Sequence, residues 1–295
     1  MNAQESAEIF DLGYQPYEGE RNGRWMRGRA IWRDGIRVSL GLGRGTAAKI
    51  APWLLIGLAL VPMVVLVVIA AFVGSVATNP NDFELPSYAD YFDFAIIPLG
   101  LFAAVVAPLL FCPDRRDGVL SLYAARPITP RDYTGARWAA FLTVAVVVAC
   151  TPEAILFVWN ALDARQTGSW LADNWDVPLR FMLAGVAVAT TLTTLSLFTA
   201  SFTARRAYAT IATLAALFIG SAIGGIAEDN FSGTVADALS LAALPQVLVD
   251  TVHWIFGDTV AGRPVPGSVS ALWVAGLTAA LAVWLLRRTD SLVRR

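Results

Sequence analysis

The chain alternates long apolar runs with short polar segments. Six runs are each long enough, at about 18 residues or more, to cross the roughly 30 Å hydrocarbon core of a bilayer as a helix. These runs are residues 52–76, 94–111, 138–160, 181–202, 208–226 and 269–286. The pattern therefore predicts an all-α polytopic membrane protein with six transmembrane helices.

Composition supports this class. Hydrophobic residues make up 56% of the 295 positions and charged residues only 15%, which is too apolar for a soluble domain. The formal net charge of -1 provides no basic field for a nucleic acid. Cys112 and Cys150 lie at different depths in the predicted spans, so we expect no disulfide. No Cys/His cluster occurs along the sequence, so we expect no metal site.

The distribution of basic residues predicts the orientation. Of 22 Lys and Arg residues, eight precede the first run, five lie in residues 113–137, two in residues 203–207 and four follow the last run. The other side carries Arg165, Arg180 and Arg263. Because basic residues concentrate in cytoplasmic loops, both termini are predicted to be cytoplasmic, in the cell inner (plasma) membrane.

Residues 1–50 are predicted to form a cytoplasmic tail followed by a basic amphipathic helix. Apolar side chains recur there near helical spacing, with arginines on the other faces. They are Trp25, Trp32, Ile36 and Leu40. Two tryptophans on a basic helix favour a position among the lipid headgroups of the inner leaflet. The alternative is a solvated helix that packs on its own protein.

Residues 51–287 form the transmembrane domain in this interpretation, and residues 288–295 form a cytoplasmic basic tail. The segment between the fifth and sixth runs, residues 228–267, is too long for a structureless loop. Its apolar stretches are broken at Pro245 and are too short to span. We therefore predict a pair of re-entrant or interfacial helices on the outer face.

Residues 113–137, here called the charged island, separate the second and third runs. The first half predicts a short helix with an apolar face that begins one turn after Arg116. That face consists of Leu120, Tyr123 and Ala124. Pro127 ends this helix. Thr129 and Pro130 then provide an N-cap and a first helical residue, so a second helix is predicted to start there and continue into the membrane.

The island is suited to contact a cytosolic partner. Leu120 and Tyr123 provide an apolar and aromatic face of the kind that anchors interfaces. Arginines at its rim would steer an acidic groove towards it. The predicted contact residues are Arg115, Arg116, Asp117, Leu120, Tyr123, Arg126 and Arg131. The alternative is that these arginines serve only as topology signals that face water and lipid headgroups.

Few polar residues inside the runs attract a functional interpretation. Glu153 is an ionisable group at membrane depth, which is a functional hypothesis by default; the alternative is a position facing an aqueous vestibule. Thr190 and Thr194 belong to a hydroxyl-rich run and either line a translocation path or bond within the helix packing. Gly220-x-x-x-Gly224 is a small-residue motif for close helix contact.

No motif points to an enzyme. The glycine-rich residues 41–49 lack the G-x-x-x-x-G-K-[ST] spacing of a phosphate-binding loop, so any ATPase must be another chain. The single histidine, His253, has no acid or nucleophile near it in a recognisable arrangement. We therefore expect no catalytic residue in this chain.

The charged island resembles the cytoplasmic segment in permease subunits of type-2 ATP-binding-cassette (ABC) exporters. That segment has a charged cluster, a Gly, a short Leu-rich helix, an Arg/Thr-Pro-Ile/Val-Ser/Thr-Arg stretch and a Gly-Lys pair. The matching positions here are Arg116-Asp117-Gly118-Val119-Leu120, Ala125-Arg126-Pro127-Ile128-Thr129 and Arg131-Asp132-Tyr133. Ala136-Arg137 stands where Gly-Lys is usual, and Asp114 or Asp117 replaces the usual glutamate.

The resemblance implies that the island is a coupling helix seated in a groove of a separate ABC ATPase subunit. It implies that two such subunits bind the ATP and Mg²⁺, so that this chain holds no cofactor. It also implies a permease dimer, made with a second copy or a homologous permease and surrounded by membrane lipid. The alternative is an ATP-independent secondary transporter or an accessory membrane subunit. The lone intramembrane Glu153 and the lack of an evident inverted repeat favour the exporter.

Overall fold

Eleven α-helices make up the regular structure of the described residues, and no strand occurs among them. This computed structural model describes residues 23–43, 45–76, 87–119, 128–164, 166–258 and 265–293. The helices are α1 (Arg24–Ser39), α2 (Ala47–Val76), α3 (Tyr88–Val106), α4 (Pro108–Arg116), α5 (Pro130–Asp163), α6 (Thr167–Asp173), α7 (Val177–Ala200), α8 (Arg206–Asn230), α9 (Thr234–Ser240), α10 (Leu244–Phe256) and α11 (Gly267–Val293).

The six predicted spans are confirmed as helices long and apolar enough to cross a membrane. They are α2, α3 continued by α4, α5, α7, α8 and α11. Two of them, α3 and α5, begin at a capping box of polar residues that precedes the apolar run. Ser87 and Asp90 form a capping box at the start of α3, and Thr129 and Asp132 form one at the start of α5. The chain is a multi-pass α-helical membrane protein.

The spans α3 and α7 occupy the centre of the bundle. In each of these spans, 67% of the most apolar 18-residue stretch is buried inside the bundle, whereas the share is 28% in α2 and α8 and 17% in α11. Helix α3 packs against α2, α5, α7, α8 and α10. The outer helices present large apolar side chains such as Ile219 and Leu272 to the surroundings, as lipid contact requires.

Two ends of the bundle can be distinguished by their contacts. The basic end carries the beginning of α5 and the ends of α4, α7 and α11. Its arginines bond across these helices; they are Arg115, Arg131, Arg137 and Arg288. The opposite end carries the beginnings of α3 and α7 and the ends of α5 and α10. There Asn160 donates to the Tyr88 hydroxyl at 3.0 Å, and Tyr88 stacks on Phe256.

The predicted first helix of the island does not include Arg116. That residue is the last one of α4, and the turn after it passes through Gly118 with φ +66°. A left-handed glycine just past a helix end is a common way to stop a helix. Residues 120–127, which carry the predicted apolar face, lie outside the described residues. The predicted restart is confirmed, because α5 begins after a Thr129 cap.

Helices α9 and α10 form a bent pair, with an angle of 96° between them. The break falls at residues 241–243 and not at Pro245, because proline is tolerated in the first turn of α10. The C-terminal turn of α10 lies at the opposite end, while the bend lies near the middle of α8. The pair therefore enters the bundle from the opposite end and returns to it.

Two glycines of α8 make room for this bend. A Cβ on Gly220 would overlap the Ala242 carbonyl oxygen, and a Cβ on Gly224 would lie 2.6 Å from the Ala243 Cβ. The carbonyl of Leu241, freed by the break, accepts a hydrogen bond from Trp273 Nε1 at 3.0 Å. The predicted small-residue motif is thus a contact site, and its partner is a helix break.

Gly220→Ala tests this close approach. The added methyl must displace backbone atoms, so we expect a loss of stability of about 1–3 kcal/mol. Gly225→Ala is the matched control on the same helix, because nothing lies within 4 Å of its Cβ position. Thermal unfolding of the purified proteins in detergent measures both. Equal melting temperatures for the two variants would contradict the packing of the bend.

Candidate functional site

The basic end is organised around the guanidinium of Arg137, which lies near the start of α5 and is 4% exposed. It donates to Oδ2 of Asp34 from α1 at 2.7 Å and to Oδ2 of Asp114 from α4 at 2.9 Å. The hydroxyl of Tyr133, one turn earlier, donates to the same Asp114 oxygen at 2.6 Å. One arginine therefore joins three helices.

Helix α1 lies along the first turns of α5. Arg24 forms two hydrogen bonds to the Asp132 carboxylate, at 2.9 and 2.7 Å, and this pairing raises the pKa of Arg24. A Cβ on Gly35 would lie 2.6 Å from the Ala140 Cβ, so the two helices nearly touch. This face of α1 packs on its own protein. Trp25 lies on another face and is 76% exposed, so headgroup contact there stays a prediction.

Two arginines converge on the C-terminus of α7. The Ser201 carbonyl accepts from Nη1 of Arg115 and, at 3.2 Å, from Nε of Arg288. The Arg288 guanidinium also lies over the Phe202 ring, 3.8 Å from its centroid. Positive charge at a helix C-terminus is stabilising because the helix dipole is negative there. Arg115, predicted to rim the island, thus points at α7.

Three other predicted contact residues of the island are exposed. Arg116 Nε donates to Oδ1 of Asp117 at 2.9 Å, and this bond lowers the pKa of Asp117. Arg131 Nε donates to Oδ2 of Asp290 at 2.9 Å and so links the start of α5 to α11. The remaining predicted contact residues, Leu120, Tyr123 and Arg126, lie outside the described residues.

Glu153 lies inside the bundle and is 0% exposed. Neither carboxylate oxygen has a hydrogen-bond partner among the described residues. A charged group in such a place costs several kcal/mol, so its presence marks a functional candidate. In this conformation Glu153 does not face an open vestibule.

Thr190 and Thr194 line a lateral cavity of about 550 Å³ between α5, α7, α10 and α11. Thr194 donates to the Thr190 carbonyl at 2.7 Å and accepts from Trp138 Nε1 at 3.0 Å. Thr191, beside them, shares a hydrogen bond of 2.9 Å with Thr278 of α11. These hydroxyl bonds lie within and between helices, which fits the helix-packing interpretation. The cavity also leaves the path interpretation open.

Sequence reasoning missed the acidic partners of the basic end. Asp34 is the one acidic residue of α1, between Arg33 and Arg37, and that isolation was a usable signal. Tyr133 and Arg137 are spaced four residues apart and therefore share a face of α5. The pairing of Asp34 with Arg137, 103 positions away, could not be read from either segment.

No protein-family model matches the chain, and no curated protein matches it. The fold and its contacts alone define the class. It is a multi-pass α-helical membrane protein whose basic end is held together by ion pairs.

Arg137→Leu tests the central contact of the basic end. The variant leaves the carboxylates of Asp34 and Asp114 without their shared partner, so we expect a loss of about 3–5 kcal/mol. Arg131→Leu is the matched control on the same helix, because its ion pair is exposed and such pairs contribute little. Denaturant or thermal unfolding in detergent provides the comparison.

Adding Asp114→Asn to Arg137→Leu removes one of the uncompensated charges. We expect this double variant to recover part of the lost stability. A single Arg137→Leu variant as stable as Arg131→Leu would show that the three helices do not depend on this arginine.

Proposed function

We propose that this chain is the transmembrane permease subunit of an ABC transporter, an exporter that draws energy from a separate ATPase subunit. In this proposal the charged island is the cytoplasmic coupling helix. The partner ATPase binds ATP and Mg²⁺, and this chain catalyses nothing itself. The resemblance of the island to type-2 permeases and the six spanning helices support this function.

The observation that carries the proposal is the anchoring of the island at both sides. On the α4 side, Asp114 bonds to Arg137 and Arg115 bonds to the Ser201 carbonyl. On the α5 side, Asp132 caps the helix and binds Arg24, and Arg131 binds Asp290. The described parts of the island are therefore bonded to helices α1, α7 and α11.

This anchoring provides a route for force. A push on the island would displace α4 and α5 together, because Arg137 joins them. Helix α1 would move with them, because Arg137 also binds Asp34. Helices α7 and α11 would follow, because Arg115 of α4 and Arg288 of α11 both donate to the Ser201 carbonyl. Packed helices respond to such displacement as rigid bodies with few discrete arrangements. Binding of an ATPase to the island would therefore displace several helices of the bundle together.

The remaining parts of the proposal concern placement and assembly. The basic end faces the cytoplasm, with both termini, by the distribution of Lys and Arg. The bent pair α9 and α10 is then a re-entrant hairpin on the outer side, and its freed backbone is covered by protein, as a membrane requires. Two permeases, identical or homologous, pair through their spans in the inner (plasma) membrane.

The double variant Tyr123→Ala with Arg116→Glu tests the coupling role. The tagged chain is purified from its own host membranes, and bound subunits are searched by mass spectrometry for one with a phosphate-binding loop. We expect the wild type to retain that subunit and the double variant to lose it, or to keep it without transport. Trp25→Ala with Arg29→Glu makes the same kinds of change on α1 and is expected to retain it.

Insertion is measured in the same membranes, because other basic residues hold the orientation of the double variant. A double variant that inserts, retains the ATPase and transports at the wild-type rate would overturn the coupling role. ATP hydrolysis by the purified chain alone would overturn the assignment as a permease.

An ATP-independent secondary transporter is the second candidate. Two observations favour it: the bent pair in the middle of the bundle, and the buried Glu153, which has no hydrogen-bond partner among the residues that the structure describes. Secondary transporters use both features, because ionisable groups and helix breaks at the midplane bind coupled ions. An accessory membrane subunit is the other ATP-independent possibility, and it requires neither feature.

Glu153→Gln separates the two candidates. The chain alone is placed in liposomes that contain a pH-sensitive dye, and a pH step is applied outside. Under the proposed exporter function we expect no proton movement without ATP, in the wild type or the variant. A flux that Glu153→Gln abolishes and that Thr143→Val, a change at an exposed hydroxyl of the same helix, preserves would establish the second candidate instead.

A further inference from the structure

Three potential metal ligands meet at the opposite end of the bundle. Asp90 and Asp93 lie in the first two turns of α3, and His253 lies in the last turn of α10. Nε2 of His253 is 3.2 Å from Oδ1 of Asp93. One ligand atom from each of the three residues lies within 4.8 Å of the other two. The residues are far apart in the chain, since 160 positions separate Asp93 from His253.

Local structure orients each of these side chains. Asp90 and Asp93 are three residues apart and therefore project from one face of α3. Asp90 Oδ2 accepts from the Ser87 backbone N–H at 2.9 Å, which fixes that carboxylate and leaves it a second oxygen. His253 is 8% exposed, so its ring has little freedom to turn away. Stacking of Tyr88 on Phe256 holds the two helix ends together.

The charges of this cluster favour a cation. Two carboxylates at this distance repel each other unless positive charge lies between them. Among the described residues, no lysine or arginine forms an ion pair with Asp90 or Asp93. Arg180, which lies at the same end of the bundle, binds Asp176 and the Phe256 carbonyl. A protonated histidine would supply one positive charge, and a divalent ion would supply two.

We propose that Asp90, Asp93 and His253 bind a divalent transition-metal ion, with zinc as the best match. An imidazole nitrogen with carboxylate oxygens is a common zinc ligand set, and three protein ligands leave a position for water. Mg²⁺ and Ca²⁺ prefer oxygen ligands alone, so the histidine disfavours them. Capping by Ser87 supplies the second contact that holds a ligating carboxylate in place.

The ion would join α10 to α3. Helix α10 belongs to the bent pair, and α3 lies at the centre of the bundle, so a metal here would hold the bent pair against the spans. This site is independent of the proposed permease function and would exist in either transporter class. It lies at the end away from the charged island.

Zinc titration of the full chain tests the site. The protein is purified in detergent with a tag that contains no histidine, stripped with a chelator and titrated with ZnCl₂ by isothermal calorimetry. We expect saturable binding of one ion per chain and a rise in melting temperature with zinc concentration, because an ion that binds only the folded state stabilises it.

Three variants assign the ligands. His253→Gln retains a nitrogen that can donate to Asp93 but is a poor zinc ligand, so it separates metal binding from the hydrogen bond between the two residues. We expect it and Asp93→Asn each to weaken zinc binding at least about tenfold, and Asp90→Asn to weaken it as well. Asp173→Asn changes an exposed carboxylate of α6 and is expected to bind zinc as the wild type does.

Two results would overturn the site. One is a folded wild-type protein that shows no saturable zinc binding. The other is binding that persists unchanged in His253→Gln, Asp93→Asn and Asp90→Asn, which would place the ion elsewhere. The first result needs no variant, so it stands even if a substitution impairs folding.

Discussion

The bundle depends on the buried guanidinium of Arg137. A buried charge is tolerated only when its partners reach it, and here they come from two other helices, through Asp34 and Asp114. The α1 helix, the end of α4 and the start of α5 must therefore hold fixed positions relative to one another. This requirement explains why α1 packs against α5, although its sequence also suits a membrane surface. Arg137 also joins α4 and α5, the helices that carry the two described parts of the charged island.

A second constraint is the backbone of the helix breaks inside an apolar bundle. A break exposes carbonyl groups that neither lipid nor an apolar interior can satisfy. At the bend between α9 and α10, the Trp273 indole donates a hydrogen bond to the freed Leu241 carbonyl. Gly220 allows α8 to pack closely against the same bend. At the opposite end of the bundle, His253 near the end of α10 forms a hydrogen bond with Asp93 of α3. The bent pair is thus held at its bend and at its end, and both contacts join residues distant in sequence.

Particular elements show how far prediction from the sequence reaches. The six spans, the Thr129 cap of α5 and the separation of Cys112 from Cys150 follow from apolar run length and local capping chemistry, and all are found. The second span was predicted to end at residue 111, but α4 continues it to Arg116, because the helix ends only where Gly118 takes a positive φ. The bend near Pro245 was placed a few residues late, because proline fits the first turn of a helix as well as a break.

The sequence by itself determined the membrane class, the number of spans and the likeness of the charged island to a coupling segment. These features are local, since run length, helical spacing and turn residues can each be read within a short window. Only the tertiary structure decided which charges meet. Arg137 bonds to Asp34, Asp93 bonds to His253, and the buried Glu153 carboxylate has no hydrogen-bond partner in the part of the chain that the structure describes. Side-chain pairing between helices depends on their rotation and depth, and these are set by the packing of the whole bundle.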